Sequence, residues 1–238
     1  MLYLIGLGLN DESFSKEAEK IILKTKKVFI ENYTIKFPYQ INKLEKKFNK
    51  KILIADREFI ESLKILKEAE KENVVLLVYG SPFFATTHIS LINEAKKAGI
   101  KTKVLHNSSV FDALGNTGLQ LYKFGKITSI PKWTKNFKPT SFIDIIKENL
   151  SINAHTLILV DVGLNFKDAI YELEESAKEK KLEIKDIVVC SAIGTKNEKI
   201  LYSNIKSLKN KKIKEPFCFI IPTKLHFVEE ENLKNFKF

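Results

Sequence analysis

The sequence predicts an α/β protein made of two α/β/α lobes with mostly parallel sheets. Apolar runs of strand length alternate with segments of helical spacing from the first residues onward, a pattern typical of sheets covered by helices. The run Val74–Tyr79 is apolar throughout, as expected of a central strand buried on both faces. After His106 the chain becomes punctuated by glycine, so we expect an N-terminal domain over 1–108 and a C-terminal domain over 109–238.

The first half is predicted to contain five strands and four helices. The strands are Leu2–Leu7, Val28–Tyr33, Ile52–Ala55, Val74–Tyr79 and Lys101–Leu105. The helices are Ser13–Lys27, Tyr39–Asn49, Glu58–Glu72 and Thr86–Ala98, the last closed by Gly99. In the first of these helices Ala18, Ile21 and Ile22 recur at the spacing of one helical face.

The second half is predicted to continue the alternation with less regularity. The strands lie within Lys126–Ile130 and over Thr156–Val160, Ile187–Ala192 and Cys218–Ile221. The helices are Phe142–Leu150, Phe166–Lys180 and Leu201–Leu208. Ser141 followed three residues later by Asp144 indicates a capping box at the start of the first of these helices.

The charge of the chain does not by itself identify a partner. The formal net charge is +11, which is compatible with nucleic-acid binding. Arg57 is the only arginine, however, and the recognition of bases and phosphates favours the planar guanidinium group. We therefore interpret the lysines as a solvated surface, and an RNA-binding module is kept as the alternative from a different functional class.

Several other classes are disfavoured by composition. No apolar run approaches the ~18 residues that a membrane span needs, and the first residues lack the features of a secretory signal. We therefore expect a cytoplasmic protein without a membrane partner. Cys190 and Cys218 lie in apolar runs and are expected to be buried thiols. Cysteine and histidine are too few and too scattered to predict a metal site.

The candidate site lies at the turns that follow the strands, because ligands of open α/β sheets bind beyond the carboxyl ends of the strands. These turns are Gly6–Asn10, Gly80–Phe84, His106–Val110, Asp161–Gly163 and Ile193–Thr195. The first turn lacks the third glycine of a dinucleotide fingerprint. The second turn has neither the Gly-Lys-Ser/Thr of a phosphate-binding loop nor the Gly-x-Ser-x-Gly of a hydrolase.

Trp133 and the lone histidines each allow two interpretations. Trp133 lies in the basic segment Lys132–Lys138 and is either an anchor for a partner or a staple of its own loop. His106, His155 and His226 lie at strand edges or in loops, where a histidine is more often a hydrogen-bonded structural residue than a base or a ligand.

Six segments together resemble the diphthine synthase family of methyltransferases, and the resemblance runs from end to end. They are LYLIGLGLNDE, GSPFFATTH, HNSSVFDALGNTGLQLYKFGK, PTSFIDIIKENL, HTLILVDV and IIPTKLHFVEEENL. The resemblance implies a tetrapyrrole-methylase-like fold, with S-adenosylmethionine held in a cleft between two lobes and converted to S-adenosylhomocysteine. It also implies a homodimer and a protein substrate, elongation factor 2, whose modified histidine receives three methyl groups on its α-amino nitrogen.

The resemblance also implies which residues bind the cofactor. These are Leu9, Ser81, Phe84, Ser109, Val110, Val160, Ile193 and Phe217. The chain departs from the family pattern at two places. Gly80-Ser81-Pro82 stands where the family usually has Gly-Asp-Pro, and Ser191-Ala192-Ile193-Gly194 stands where it usually has Ala-Arg-Ala-Gly. A neutral hydroxyl contact is weaker than a charged one, so Ser81 is expected to weaken cofactor binding.

No side chain in these motifs is an obvious general base, and no catalytic residue is assigned. Desolvation lowers the pKa of an amine and is expected to help supply the neutral nucleophile. Phe83 or Phe84 is expected to face the quaternary ammonium group as it forms. The alternative within the same fold is a methyltransferase acting on a tetrapyrrole or corrinoid.

Overall fold

The structure is a computed structural model that describes residues 1–237. The chain divides by packing into two compact units, one over Met1–Val110 and one from Phe111 onward. Whether each unit corresponds to one of the two expected domains stays a prediction. Within residues 1–237 no helix is long and apolar enough to cross a membrane.

The first unit contains a five-stranded sheet in which every pair of neighbours is parallel. The strands are β1 (Leu2–Gly6), β2 (Lys27–Glu31), β3 (Leu53–Ala55), β4 (Val74–Val78) and β5 (Thr102–Leu105), in the order β3-β2-β4-β1-β5. The helices are α1 (Lys16–Lys24), α2 (Asn42–Phe48), α3 (Arg57–Glu61), α4 (Lys64–Lys71) and α5 (His88–Lys97). β4 is buried at all five positions, as predicted, and separate apolar clusters include Val74 and Val75 on its opposite faces.

The single helix predicted over Glu58–Glu72 is wrong, because the chain forms two helices with a break at Leu63. Leu63 adopts a left-handed conformation, with φ of 59°. In a straight helix of roughly 100° per residue, Ile60 would point away from Ala69, nine positions later. Both residues are buried, so the break lets α3 and α4 each turn an apolar face to the same core.

The second unit contains a mixed sheet, and here the expectation of a mostly parallel sheet is wrong. The strands are β6 (Thr128–Ile130), β7 (Thr156–Val160), β8 (Asp186–Ser191), β9 (Lys199–Asn204) and β10 (Phe217–Ile221), in the order β6-β7-β10-β8-β9. Only β6 and β7 are parallel neighbours. A short connection returns the chain directly from β8 to β9, and such a connection pairs strands antiparallel.

The helices of the second unit differ from the prediction at three places. They are α6 (Val110–Ala113), which starts at the unit boundary, α7 (Phe142–Ser151), α8 (Phe166–Glu179), α9 (Ile205–Leu208) and α10 (Phe227–Lys234). The predicted helix over Leu201–Leu208 is wrong in its first half, which belongs to β9 and pairs with β8 at the sheet edge. α10 is unpredicted, because it buries Glu229 beside Leu233 and lacks an apolar stripe.

The predicted capping box at Ser141 is also wrong. Ser141 has helical backbone angles and makes no capping hydrogen bond with its side chain. A capping side chain needs an extended backbone, which Ser141 does not have. Asp144 instead lies 2.9 Å from the amine of Lys180.

The two cysteines are buried, unbridged thiols that face each other across antiparallel strands, as their apolar surroundings indicated. Cys190 on β8 is the register partner of Cys218 on β10. The hydrogen bond with the Cys218 thiol and burial raise the pKa of the Cys190 thiol, so this sulfur stays protonated.

Candidate functional site

Three turns converge at the carboxyl edge of the first sheet. Gly8 and Gly80 exchange backbone hydrogen bonds, with Gly8 N donating to Gly80 O at 3.2 Å and Gly80 N donating to Gly8 O at 2.9 Å. Both glycines have positive φ values of 69°, a conformation that other residues adopt at a cost. The turn after β1 is therefore joined directly to the turn after β4, at the edge where open α/β sheets bind their ligands.

The close approach of these turns requires a glycine at position 6. A methyl group on Gly6 would lie 2.6 Å from Gly80 O, 2.9 Å from Pro82 Cδ and 3.1 Å from Asn107 Cβ. No carbon atom fits at such distances from a backbone oxygen. The glycine pattern of the first turn therefore reflects contact between loops and not a dinucleotide fingerprint.

Asn107 connects the turn after β5 to the turn after β1. Its amide Nδ2 donates to Gly6 O at 3.1 Å and to Ser13 O at 3.0 Å. Its Oδ1 accepts a hydrogen bond from Ser108 N at 2.8 Å. A single side chain thus spans more than 90 positions of sequence and fixes the relative placement of two of the three turns.

Tyr79 supports the same edge from the end of β4. Its hydroxyl donates to Leu9 O at 2.9 Å, so it holds the first turn in place. The ring packs edge-on against Phe37, with 5.4 Å between centroids, and Phe37 packs against Tyr39 in the same way at 5.5 Å. Burial raises the pKa of Tyr79 far above its usual range, so the hydroxyl remains a donor.

His88, the first residue of α5, anchors the turn after β4. Its Nδ1 lies 3.2 Å from Pro82 O, which requires the proton to be on Nδ1 because a carbonyl only accepts. Nε2 is then an acceptor, and it is buried without a partner. Burial lowers the pKa of His88 despite the contact with Pro82, so the ring is neutral at physiological pH.

Five of the eight predicted cofactor residues belong to these three turns. Leu9 and Ser109 are buried, and Ser81, Phe84 and Val110 are half-buried. Phe83 instead packs against the core and lies edge-on to His106 at 5.8 Å between centroids. Sequence reasoning named the turns but missed the roles of Asn107 and Tyr79, because contacts across so many positions leave no local pattern.

The other three predicted residues lie at one edge of the second sheet. Val160 ends β7, Phe217 begins β10, and the register that pairs Ile158 with Phe219 puts these two opposite each other. Phe217 is also opposite Ser191, and the next residue, Ala192, donates to Pro216 O at 2.9 Å. Ile193 follows immediately and is buried. That the two groups of residues form one cleft stays a prediction.

A buried carboxylate joins three of the segments on which the family resemblance rests. Glu229 has no exposed surface, and it accepts hydrogen bonds from Gln120 N at 3.0 Å and His226 N at 2.8 Å. It also contacts Lys123 Nζ at 2.5 Å and His155 Nε2 at 3.0 Å. Burial alone would raise the pKa of Glu229, but the hydrogen bonds from Lys123 and the other donors lower it to about 2.

The histidines around this carboxylate are structural, as their sequence positions indicated. His155 Nδ1 accepts a hydrogen bond from Thr223 N at 3.0 Å, so its proton is on Nε2 and points to Glu229. Burial lowers the pKa of His155 even though Glu229 favours the charged form. His226 is the N-cap of α10, with Nδ1 accepting from Val228 N at 3.4 Å.

The residues at these turns include no predicted metal ligands. Across residues 1–237 no cluster of histidine, cysteine, aspartate or glutamate could hold a metal ion. The half-buried side chains of the turns at the first sheet include apolar Phe84 and Val110 and the hydroxyl of Ser81, a combination that suits an organic ligand with apolar and polar parts.

Comparison with known proteins identifies the family. The model of the tetrapyrrole (corrin/porphyrin) methylases matches residues 1–209. A diphthine synthase of Methanococcus maripaludis is 38% identical, covering 98% of each chain. The chain belongs to this methylase family and to its diphthine synthases. A probable diphthine methyl ester synthase of Arabidopsis thaliana is 34% identical and covers 100% of this chain and 99% of its own.

The fold agrees with that membership. The crystal structure of a putative diphthine synthase from Entamoeba histolytica superposes with a TM-score of 0.91 at 33% identity, covering 100% of this chain and 98% of the other. The prediction of an α/β fold of the tetrapyrrole-methylase type is confirmed, and so is the prediction of a methyltransferase. A methyltransferase of this family requires a methyl donor.

Proposed function

We propose that this methyltransferase takes methyl groups from S-adenosylmethionine and transfers them to the modified histidine of elongation factor 2, producing diphthine. The similarity to diphthine synthases over nearly the whole length of both chains carries this proposal. A methyltransferase acting on a tetrapyrrole or corrinoid is the competing function within the same fold. Similarity over the full chain to enzymes named for diphthine or its methyl ester favours the protein substrate.

The turns at the first sheet are proposed to hold the methyl donor, and their residues fit such a ligand. Leu9, Phe84 and Val110 supply apolar surface for an adenine ring or the methionine methylenes. The turns also offer backbone carbonyls, which suit a positive charge, and the hydroxyl of Ser81, which suits a polar group. When bound, S-adenosylmethionine supplies a methyl group on a positively charged sulfur, and S-adenosylhomocysteine is the product.

The residues of this chain act mainly by positioning. Methyl transfer is an in-line displacement in which the amine lone pair must point at the methyl carbon, so orientation supplies much of the rate enhancement. Joined turns such as those at Gly8 and Gly80 hold their groups in place before the substrate arrives. Desolvation favours the neutral amine that the reaction requires. Because Phe83 packs against the core and the ring of His106, Phe84 is the better candidate to face the quaternary ammonium product.

A second candidate function adds a methyl ester to the same product. The Arabidopsis relative is named for a diphthine methyl ester, in which a carboxylate also carries a methyl group, and its similarity spans the full chain. The two candidates differ in the number of methyl groups and in the atom that receives the last one.

The proposed function is tested by incubating the purified protein with labelled S-adenosylmethionine and elongation factor 2 that carries the 3-amino-3-carboxypropyl histidine. We expect label on the peptide that contains this histidine, and no label when the histidine is replaced. Three methyl groups stable to mild base support diphthine, whereas a further base-labile methyl group supports the methyl ester. Labelling of a tetrapyrrole in the absence of any labelled peptide would reject the proposal.

The same proposal covers assembly and location. The family resemblance implies a homodimer, and we propose a homodimer here, which sedimentation of the purified protein at micromolar concentration tests. A monomer that retains full activity would contradict it. Because the proposed substrate is a translation factor, the proposed place of action is the cytoplasm.

A further inference from the structure

A hairpin over Lys132–Lys138, the lysine hairpin, follows β6 and is held firmly in the second unit. Thr134 and Phe137 exchange backbone hydrogen bonds, with Thr134 N donating to Phe137 O at 2.9 Å and Phe137 N donating to Thr134 O at 3.3 Å. Trp133 Nε1 donates to Pro139 O at 3.3 Å. The loop therefore has a defined shape before any partner binds, which reduces the entropy cost of association.

Two carboxylates near the lysine hairpin accept hydrogen bonds from its backbone. Lys132 N donates to Asp161 Oδ2 at 3.2 Å, and Trp133 N donates to Glu172 Oε1 at 3.1 Å. Glu172 is buried, so it is not presented to a partner. The two carboxylates fix the base of the hairpin, Glu172 from the interior and Asp161 at the surface.

The surface that the lysine hairpin presents outward is cationic and apolar. Lys135 and Lys138 are exposed and take part in no ion pair among residues 1–237, and Lys138 Nζ lies 5.6 Å from the centre of the Trp133 ring. Phe137 is 60% exposed, and Tyr171, which packs edge-on against Trp133, is 56% exposed. Aromatic side chains are enriched at docking surfaces, and the unpaired lysines give this surface a positive charge that a negatively charged partner would complement.

The position of the hairpin connects this surface to the candidate site. Asp161, which holds the base of the hairpin, directly follows Val160 at the end of β7. A partner bound to the hairpin would therefore sit beside one of the predicted cofactor residues. Transfer to a side chain of a folded protein needs such a surface next to the site.

We infer that the lysine hairpin docks an acidic, partly apolar segment of the folded protein that carries the methyl acceptor. The inference rests on the proposed function, since it assigns a surface for that substrate. An acidic segment would complement Lys135 and Lys138, and an apolar side chain would cover Phe137. A protein is favoured over RNA because the hairpin offers lysines and no arginine to grip phosphates.

The test compares methyl transfer to the protein substrate by the wild type, K135E/K138E, K135R/K138R and F137A. The double reversal is expected to raise KM for the protein substrate roughly ten-fold, with kcat and the affinity for S-adenosylmethionine unchanged. The arginine variant keeps the charge and is expected to retain the wild-type KM. F137A is expected to raise KM without changing its dependence on salt, because it removes apolar contact only.

A matched control reverses two exposed lysines elsewhere in the second unit, K206E/K212E. Its KM should equal that of the wild type, and all variants should unfold at the same temperature. An unchanged KM in K135E/K138E, or an equal rise in the control, would overturn the docking surface. Loss of RNA binding in K135E/K138E with an unchanged KM would also overturn it, in favour of a nucleic-acid surface. Absence of transfer by the wild type would overturn the proposed function itself, so the two failures are distinguishable.

Discussion

Replacing Glu229 by glutamine tests the buried carboxylate that joins Gln120, Lys123, His155 and His226. All four partners point hydrogen-bond donors at its two oxygens. In the variant one carboxylate oxygen becomes an NH₂ group, which cannot accept a hydrogen bond, so one pair of donors loses its acceptor. Lys123 also loses the negative charge with which it is paired. Removing one partner of a buried ion pair costs about 3–5 kcal/mol.

The pKa of Glu229 gives an independent magnitude. The difference between its ordinary value of 4.5 and about 2 corresponds to about 3 kcal/mol of unfolding free energy, at roughly 1.4 kcal/mol per pKa unit. Because the pKa is lowered in the folded state, this stabilisation is complete above pH 4.5 and is lost as the pH falls through about 2. By pH 3 about 2 kcal/mol of it should be gone.

The assay is urea denaturation of the wild type and of E229Q between pH 7 and pH 3, followed by circular dichroism. We expect E229Q to be less stable by about 3–5 kcal/mol at pH 7 and the difference to shrink toward pH 3. The control is E230Q, which alters an exposed neighbour and should change stability by less than about 1 kcal/mol. A deficit of E229Q below about 1 kcal/mol at pH 7, or one that does not change with pH, would refute the reasoning.

Three further predictions concern the turns at the first sheet. Asn107→Asp replaces the amide that donates to two carbonyls by a carboxylate, which cannot donate. It should therefore lower the free energy of unfolding by about 2 kcal/mol and weaken S-adenosylmethionine binding measured by calorimetry. The control Asn93→Asp, at an exposed position, should change neither quantity. Gly6→Ala places a methyl group 2.6 Å from Gly80 O and should prevent stable folding by circular dichroism, whereas Gly115→Ala, which meets nothing within 4 Å, should fold normally. Ser81→Asp should tighten S-adenosylmethionine binding about several-fold, because a charged hydrogen bond is roughly twice as strong as a neutral one; equal or weaker binding would contradict the assignment of this turn.

Most strands and helices of the first unit were predicted correctly, because each of them has a clear pattern within its own segment. Strands buried on both faces are continuous apolar runs, as in Val74–Val78, and helices between them repeat at their own spacing. The break at Leu63 was missed because helical spacing is read within short windows. Only the core shows that Ile60 and Ala69 must face the same side.

The second unit was predicted less well because its strands pair by a different rule. The edge strand β9 runs directly into α9, so Leu201–Leu208 was predicted as one helix, and pairing with β8 is what makes its first half a strand. α10 has no apolar stripe, and the contacts of Glu229 with distant segments take the place of one. Neither feature can be recognised before the partner segments are in place.

The sequence by itself predicted an α/β protein and marked the turns where strands end, and its long motifs resemble the diphthine synthase family of methyltransferases. It could do so because strand and helix periodicity and long motifs are properties of neighbouring residues. The tertiary structure decided the mixed second sheet, the clamp at Asn107, the hydroxyl of Tyr79 on Leu9 and the four donors around Glu229. These depend on groups that lie many positions apart and meet only when the chain has folded, because burial makes an unpaired polar group costly and therefore selects its partner.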